Sequence, residues 1–317
     1  MESRIKKVFG IALVLISVVT IGAFANGGTQ ASGGAKTFKV AYVNSDDADF
    51  FKKHLLDTFR EQISKDPNFS VEYANSSQDI TKQLDYIDNY IAKGVNCIII
   101  EPVSPAGVIP GIEKANKAGI PVISICSNSG GGDFTYIGIA NLDTGILQGE
   151  IAAKALPQNA KIVYMQGMPG YDHSAQRHSG TLDTLKKLRP DVQVLADATA
   201  NYDRAEGMKL MEDWIQAFPQ IDGVLCANDQ MALGAIQALK AANRLRGTWV
   251  AGVDATDEAV QEVNNGNLGL TLLQDAVKEA QGAYDALNKL RTGERLDKEL
   301  VIPMAVITKE NVAEYLK

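Results

Sequence analysis

The chain has 317 residues, 45% apolar and 22% charged, with a formal charge of −7. That is ordinary globular composition, which excludes a disordered or fibrous protein and leaves room for two domains at about 150 residues each. Arg4, Lys6 and Lys7 against Glu2 give residues 1–25 a charge of +2, so the remainder stands at −9. A chain this acidic lacks the positive surface of a nucleic-acid binder and the polybasic patch of a protein held on anionic lipid.

The three cations precede an uncharged apolar core over Val8–Ile21, and Ala23-Phe24-Ala25 places small residues where a signal peptidase needs them. Residues 1–25 are read as a signal peptide cleaved after Ala25, and residues 26–36 as a flexible linker. The alternative is an uncleaved membrane anchor. The core is short for that, and Asn26–Ala35 carries no stop-transfer charge. No later segment is long and apolar enough to span a bilayer, so the mature protein is expected to be exported and soluble. Cytosolic cofactors such as ATP and NAD are not expected. Cys97, Cys126 and Cys226 each sit in an apolar run with no C-x-x-C spacing, which excludes a zinc ribbon or thioredoxin motif. They read as buried free thiols, with a Cys97–Cys126 bridge as the alternative.

From residue 37 short β-rich runs alternate with amphipathic stretches. The runs are Phe38–Asn44, Ser70–Asn75, Asn96–Glu101, Pro121–Ser127, Tyr136–Ala140, Lys161–Gln166, Val192–Ala196, Gly223–Ala227, Thr248–Val253 and Leu268–Leu273. Helical spacing marks Phe50–Lys65, Ile80–Lys93, Val108–Ala118, Thr144–Ala155, Ser174–Leu188, Arg204–Ala217, Met231–Ala242 and Val277–Leu290. Continuously apolar runs such as Cys97-Ile98-Ile99-Ile100 predict parallel sheets covered on both faces, and ten strands predict two sheets in two lobes. Gly94, Gly119, Gly223 and Gly247 read as helix C-caps or turns.

In such folds functional residues lie where strands feed into helices. Phe50 and Phe51 follow the first strand. Neighbours on a helix diverge by about 100°, so both cannot face the core, and one is free to present a flat apolar surface to a sugar ring. A hydrophobic staple plus a core residue is the ordinary account of the pair. Glu101 and Cys126 end the third and fourth runs. Gly130-Gly131-Gly132 beyond Cys126 is a loop without the pattern of a phosphate cradle. Arg177 falls about one turn into its helix, where it is either a paired donor to hydroxyl oxygens or a surface ion-pair partner. His173 and His178 are five apart and do not make the H-E-x-x-H zinc pair. Tyr202 lies between a strand and a helix. Asp229 reads as a helix N-cap that leaves Asn228 pointing outward. Asp254 and Gln274 end the last two runs. Together these residues suit a neutral polyhydroxylated molecule.

The run Cys226-Ala227-Asn228-Asp229-Gln230-Met231-Ala232-Leu233-Gly234-Ala235, followed by Val250-Ala251-Gly252-Val253-Asp254, resembles the ribose-binding group of periplasmic sugar-binding proteins. Gly119-Ile120-Pro121-Val122-Ile123 and Asn201-Tyr202-Asp203-Arg204 fit the same resemblance, which spans residues 38 to 308. It implies the type 1 periplasmic binding protein fold, shared with the sugar domains of LacI-type repressors: two doubly wound α/β lobes with parallel sheets, joined by a three-crossover hinge. The crossovers are expected near Asn141, Gln274–Asp275 and Ile302–Pro303. Lobe one is then 37–140 plus 276–302, and lobe two 141–275 plus 303–317. By position the resemblance implies that one of Phe50 and Phe51 stacks on the sugar and Tyr202 covers its other face. Arg177, Asn228, Asp254 and Gln274 are implied polar contacts. Cys126 and Ser127 stand where ribose-type proteins carry Asp-Arg, and Glu101 where they carry Asn, so the ligand set differs from that for ribose.

The implied function is a monomeric periplasmic solute-binding protein that captures a monosaccharide or polyol and delivers it to the permease of an ABC importer, with no cofactor, metal or catalysis. Presenting the ligand to a chemoreceptor or sensor kinase is the alternative. A secreted hydrolase would pair Glu101 with Asp254 or Asp46/Asp47. A repressor would need a basic helix-turn-helix where this chain carries its export signal.

Overall fold

A computed structural model describes residues 37–316. The expected signal peptide and linker lie outside the described residues. The first sheet is built from β1 (Phe38–Asn44), β2 (Phe69–Asn75), β3 (Cys97–Ile100), β4 (Val122–Ile125), β5 (Thr135–Gly138) and β11 (Glu299–Val301), in the order β11-β5-β4-β3-β1-β2. The second is built from β6 (Lys161–Gln166), β7 (Gln193–Thr199), β8 (Gly223–Cys226), β9 (Trp249–Asp254), β10 (Leu270–Leu273) and β12 (Val306–Ile307), in the order β12-β10-β9-β8-β6-β7. The two orders are the same doubly wound pattern. All pairings are parallel except β10 with β12, where Thr271 faces Ile307.

Each sheet is sandwiched between helices. On the first, α1 (Phe50–Ile63) and α9 (Ala276–Thr292) cover one face, with Tyr42, Leu55, Phe59, Ile99 and Leu287 in its core. On the other face Ile87 of α2 (Ile80–Lys93) and Ile112 of α3 (Ile109–Lys117) meet Ile98 and Ile100. The second sheet is covered by α4 (Asn141–Ala155), α5 (Asp172–Leu188), α6 (Arg204–Ala217), α7 (Asp229–Ala241) and α8 (Asp257–Asn264). The helix ends follow local chemistry. Asp79 accepts from the amides of Thr81 and Lys82 to start α2, and Gly94 at φ 65° ends it in the left-handed conformation that glycine adopts without strain.

Four elements escaped the sequence reading: α8, β11, β12 and a single 3₁₀ turn at Val312–Glu314. Gly223 is not a cap. It opens β8, where a Cβ would come within 2.7 Å of Leu156 Cδ2, so its role is close packing. All three cysteines are buried and free, and the Cys97–Cys126 bridge is not formed. Among the described residues no helix is long and apolar enough to cross a membrane.

The chain passes between the sheets three times, between β5 and β6, between β10 and α9, and between β11 and β12. Each sheet reverses its strand order beside its first strand, which puts the loops after β1 and β3 opposite those after β6 and β8. Such switch points at strand carboxyl ends are where open α/β sheets bind ligands.

Candidate functional site

A small cavity lies between the two sheets' carboxyl edges. Asp49, Phe51, Lys52 and Cys126 line it from the first lobe. His173, Arg177, Tyr202, Asn228 and Asp254 line it from the second, and Gln274 lines it at a crossover.

Arg177 is the centre of the polar wall. Helices α4 and α5 touch backbone to backbone, because a Cβ on Gly145 would stand 2.4 Å from the Arg177 carbonyl and one on Gly180 2.6 Å from that of Leu142. This contact brings Arg177 onto the start of α4. Its Nε donates to Asn141 Oδ1 at 2.9 Å, Nη1 to the Ala227 carbonyl at 2.8 Å and Nη2 to Gln274 Oε1 at 2.5 Å. A guanidinium has five N–H donors, so two remain. Gln274 in turn donates to Glu279 Oε1 at 2.9 Å. Burial pushes the Glu279 carboxyl up to about 8.

The capping role expected of Asp229 falls instead to Asn228. Asn228 is the N-cap of α7, its Oδ1 accepting from the Met231 amide at 3.0 Å while its Nδ2 donates to the Tyr202 carbonyl at 3.3 Å. Asp229 is buried inside the helix start, accepting from Thr271 Oγ1 at 2.8 Å and the Thr256 amide at 2.9 Å. Asn228 still reaches the cavity, but its carbonyl oxygen is already engaged.

Glu101 does not line the cavity. It is wholly buried behind β1, where Tyr42 donates to its Oε1 at 2.8 Å and Ser45 Oγ to its Oε2 at 3.3 Å. Burial raises its carboxyl to about 7, against the opposing pull of Lys52. Phe50 is 54% exposed and turned to an outer groove, whereas Phe51 borders both that groove and the cavity.

Cys126, Tyr202 and Asp254 have φ of 65°, 62° and 120°. All three are buried, none is glycine, and all line the same cavity. Positive φ at side-chain-bearing residues costs of order 1–3 kcal/mol each and persists where surrounding structure dictates it, characteristically at functional sites.

Three lining residues were missed. Asp49 caps α1, accepting from the Lys52 amide at 2.9 Å. Lys52 is buried, its Nζ donating to Ser45 Oγ at 2.8 Å. His173 stacks on Tyr202 with ring centroids 5.3 Å apart. Burial, then Lys52 and Arg177, hold its pKa well below the ordinary value, so it is a neutral ring. The signal for Asp49 and Lys52 was their place flanking Phe50-Phe51, and for His173 its place just before a strand-end helix. Among the described residues no cluster of three or more His, Cys, Asp and Glu is arranged to hold a metal.

Two doubly wound lobes with three crossovers and a buried polar and aromatic cavity between them define a two-lobed small-molecule-binding protein. The family model of the periplasmic binding protein domain matches residues 40–295, and the chain belongs to that family. It is 32% identical over 252 residues to a Rhizobium meliloti protein named for rhizopine binding, covering 77% of this chain and 82% of that protein. It is 30% identical over 305 residues to a xylitol-binding protein of Mycolicibacterium smegmatis, covering 95% and 86%. Among solved structures it is similar to an ABC transporter solute binding protein from Bacillus halodurans C-125 with bound myo-inositol. The TM-score is 0.83 and the identity 31%, over 90% of this chain and 99% of that one.

Proposed function

We propose that this chain is an exported, periplasmic solute-binding protein that captures one polyol or monosaccharide between its lobes and hands it to an ABC importer. The observation that carries this is the cavity itself. It offers the spare donors of Arg177, the carboxyl of Asp254 and the amides of Asn228 and Gln274, beside the flat faces of Phe51 and Tyr202. Hydroxyl groups both donate and accept, and such a wall meets them with both kinds of partner. Phe51, not Phe50, is the stacking ring in this reading. The ligands named for the relatives, xylitol and myo-inositol among them, are of the same chemistry.

Binding without turnover agrees with the site. The carboxylate on which hydrolysis would rely, Glu101, is engaged by Tyr42 and Ser45 away from the cavity. The test is a thermal-shift screen of the mature protein, freed of ligand by unfolding and refolding, against pentoses, hexoses, inositols and linear polyols. Saturation at a thousand times Kd adds about 4 kcal/mol, at roughly 2–4 °C per kcal/mol. A shift of that size with one of them, followed by recovery of the permease on the immobilised protein, supports the reading. No shift with any of them removes the ligand class, and recovery of a receptor or sensor kinase alone replaces import with sensing.

A further inference from the structure

The Lys52 ammonium does more than its neighbours require. It leaves the first lobe on α1 and lies 3.7 Å from the ring centroid of Tyr171, which belongs to the second lobe at the start of α5. Both side chains are buried, at 3% and 4% exposure. A cation over an aromatic face gains most when water is excluded. Behind it the ammonium is anchored at 2.8 Å on Ser45 Oγ, and that hydroxyl donates to Glu101. Tyr171 continues into the second lobe through His173, at 5.2 Å between centroids, and from there to Tyr202. Lys52 also borders the ligand cavity on one side and a separate outer cavity, with Asp46, Gln78 and Asn201, on the other.

We propose that Lys52 is the interlobe latch of this protein and a ligand contact at the same time: its ammonium grips the Tyr171 face across the cleft, presents an N–H to the bound molecule, and is aimed by Glu101 acting through Ser45. An ammonium has three donors and no acceptor. One goes to Ser45, one side of the group faces the Tyr171 ring, and the third donor is left for the cavity that Lys52 lines. It therefore selects a ligand that offers an accepting oxygen at that point. Burial works against the charged form of the lysine, but its neighbours, Asp49 foremost and then Tyr171 and Glu101, outweigh that effect and raise its pKa. Glu101 is a positioning residue here, since it touches no part of the cavity. The latch rests on the two-lobed geometry, and only the ligand contact rests on the polyol reading.

The test uses the mature chain with spin labels on Glu113→Cys in α3 and Asp213→Cys in α6, both exposed positions on opposite lobes, the native cysteines being buried. Interlobe distances are measured without ligand and with millimolar xylitol or myo-inositol. Lys52→Met and Tyr171→Leu are each expected to lower the closed-to-open ratio several-fold, and the double variant to match the singles, because the two residues act as one pair. Lys52→Arg, which keeps a cation over the ring, is expected to restore closure and shows that folding is intact. For the polyol that binds, Lys52→Met is expected to weaken affinity tenfold or more, and further than Tyr171→Leu. Unchanged distances in the single variants, or effects that multiply in the double variant, overturn the latch. Equal affinity losses in the two single variants overturn the ligand contact. Wild-type protein that binds neither polyol refutes the polyol reading and the contact with it, while the latch still stands or falls on the ligand-free distances.

Discussion

Arg177 Nη1 and Asp254 Oδ1 stand 3.8 Å apart in the cavity wall, both side chains almost wholly buried. The pair is in Coulombic contact but beyond hydrogen-bond range, so each keeps capacity for a third atom. A ligand hydroxyl that accepts from the guanidinium and donates to the carboxylate satisfies both. Burial raises the Asp254 pKa above the ordinary value, with Arg177 pulling the other way.

Arg177→Ala and Asp254→Ala are each expected to weaken ligand binding by about 2–3 kcal/mol, roughly 30- to 150-fold in Kd, because each strands a buried polar partner. Titration calorimetry with the polyol found by the screen measures this. Unchanged Kd in both variants would remove the site from this wall.

The two adjacent phenylalanines are expected to separate cleanly. Phe51→Ala loses a half-buried flat face that borders the cavity, and binding is expected to weaken by about 1.5–3 kcal/mol. Phe50→Ala changes a ring that is 54% exposed outside the cavity, and Kd is expected to stay within about twofold. The reverse ranking would show that α1 enters the cleft turned by one residue.

The buried carboxyls of Glu101, raised by burial to about 7, and Glu279, raised to about 8, make folding sensitive to pH. In the unfolded chain each titrates near 4.3. Between that value and the folded one the native state holds more protons than the unfolded state, so stability falls as pH rises. This stabilisation is complete below about pH 4 and is lost as pH passes through 7 to 8. Tm is therefore expected to drop between pH 5 and pH 8, and to drop less in Glu101→Gln and Glu279→Gln. An undiminished drop in either glutamine variant would show that the group is charged throughout.

Gly145→Ala is expected to push α4 off α5, since its new methyl would meet the Arg177 carbonyl at 2.4 Å. Overpacking of this kind costs about 1–3 kcal/mol. Tm is expected to fall by roughly 2–12 °C at about 2–4 °C per kcal/mol. Ligand affinity is expected to fall as well, because Arg177 rides on that contact. Loss of stability with unchanged Kd would uncouple the helix pair from the site.

The strand–helix alternation was legible because each element carries its own period and punctuation. The run Cys97–Ile100 is continuously apolar, α2 begins at a capping Asp79 and ends at Gly94, and the strand ends pointed to Arg177, Asp254 and Gln274. The strands β11 and β12, of three and two residues, are too short to show a period at all. They exist because the chain crosses back to each sheet's edge.

Which strand-end residues face the cavity was decided elsewhere. Glu101 was expected there and instead serves Tyr42 and Ser45, while Lys52, three residues beyond the capping Asp49, took a place in the wall. Local sequence sets that a residue follows a strand. The direction in which its side chain leaves depends on the rotation of its helix and on the lobe opposite. Phe50 and Phe51 are chemically identical neighbours separated by that rotation alone, and Lys52 meets the Tyr171 face across 119 residues of chain only once both lobes are built.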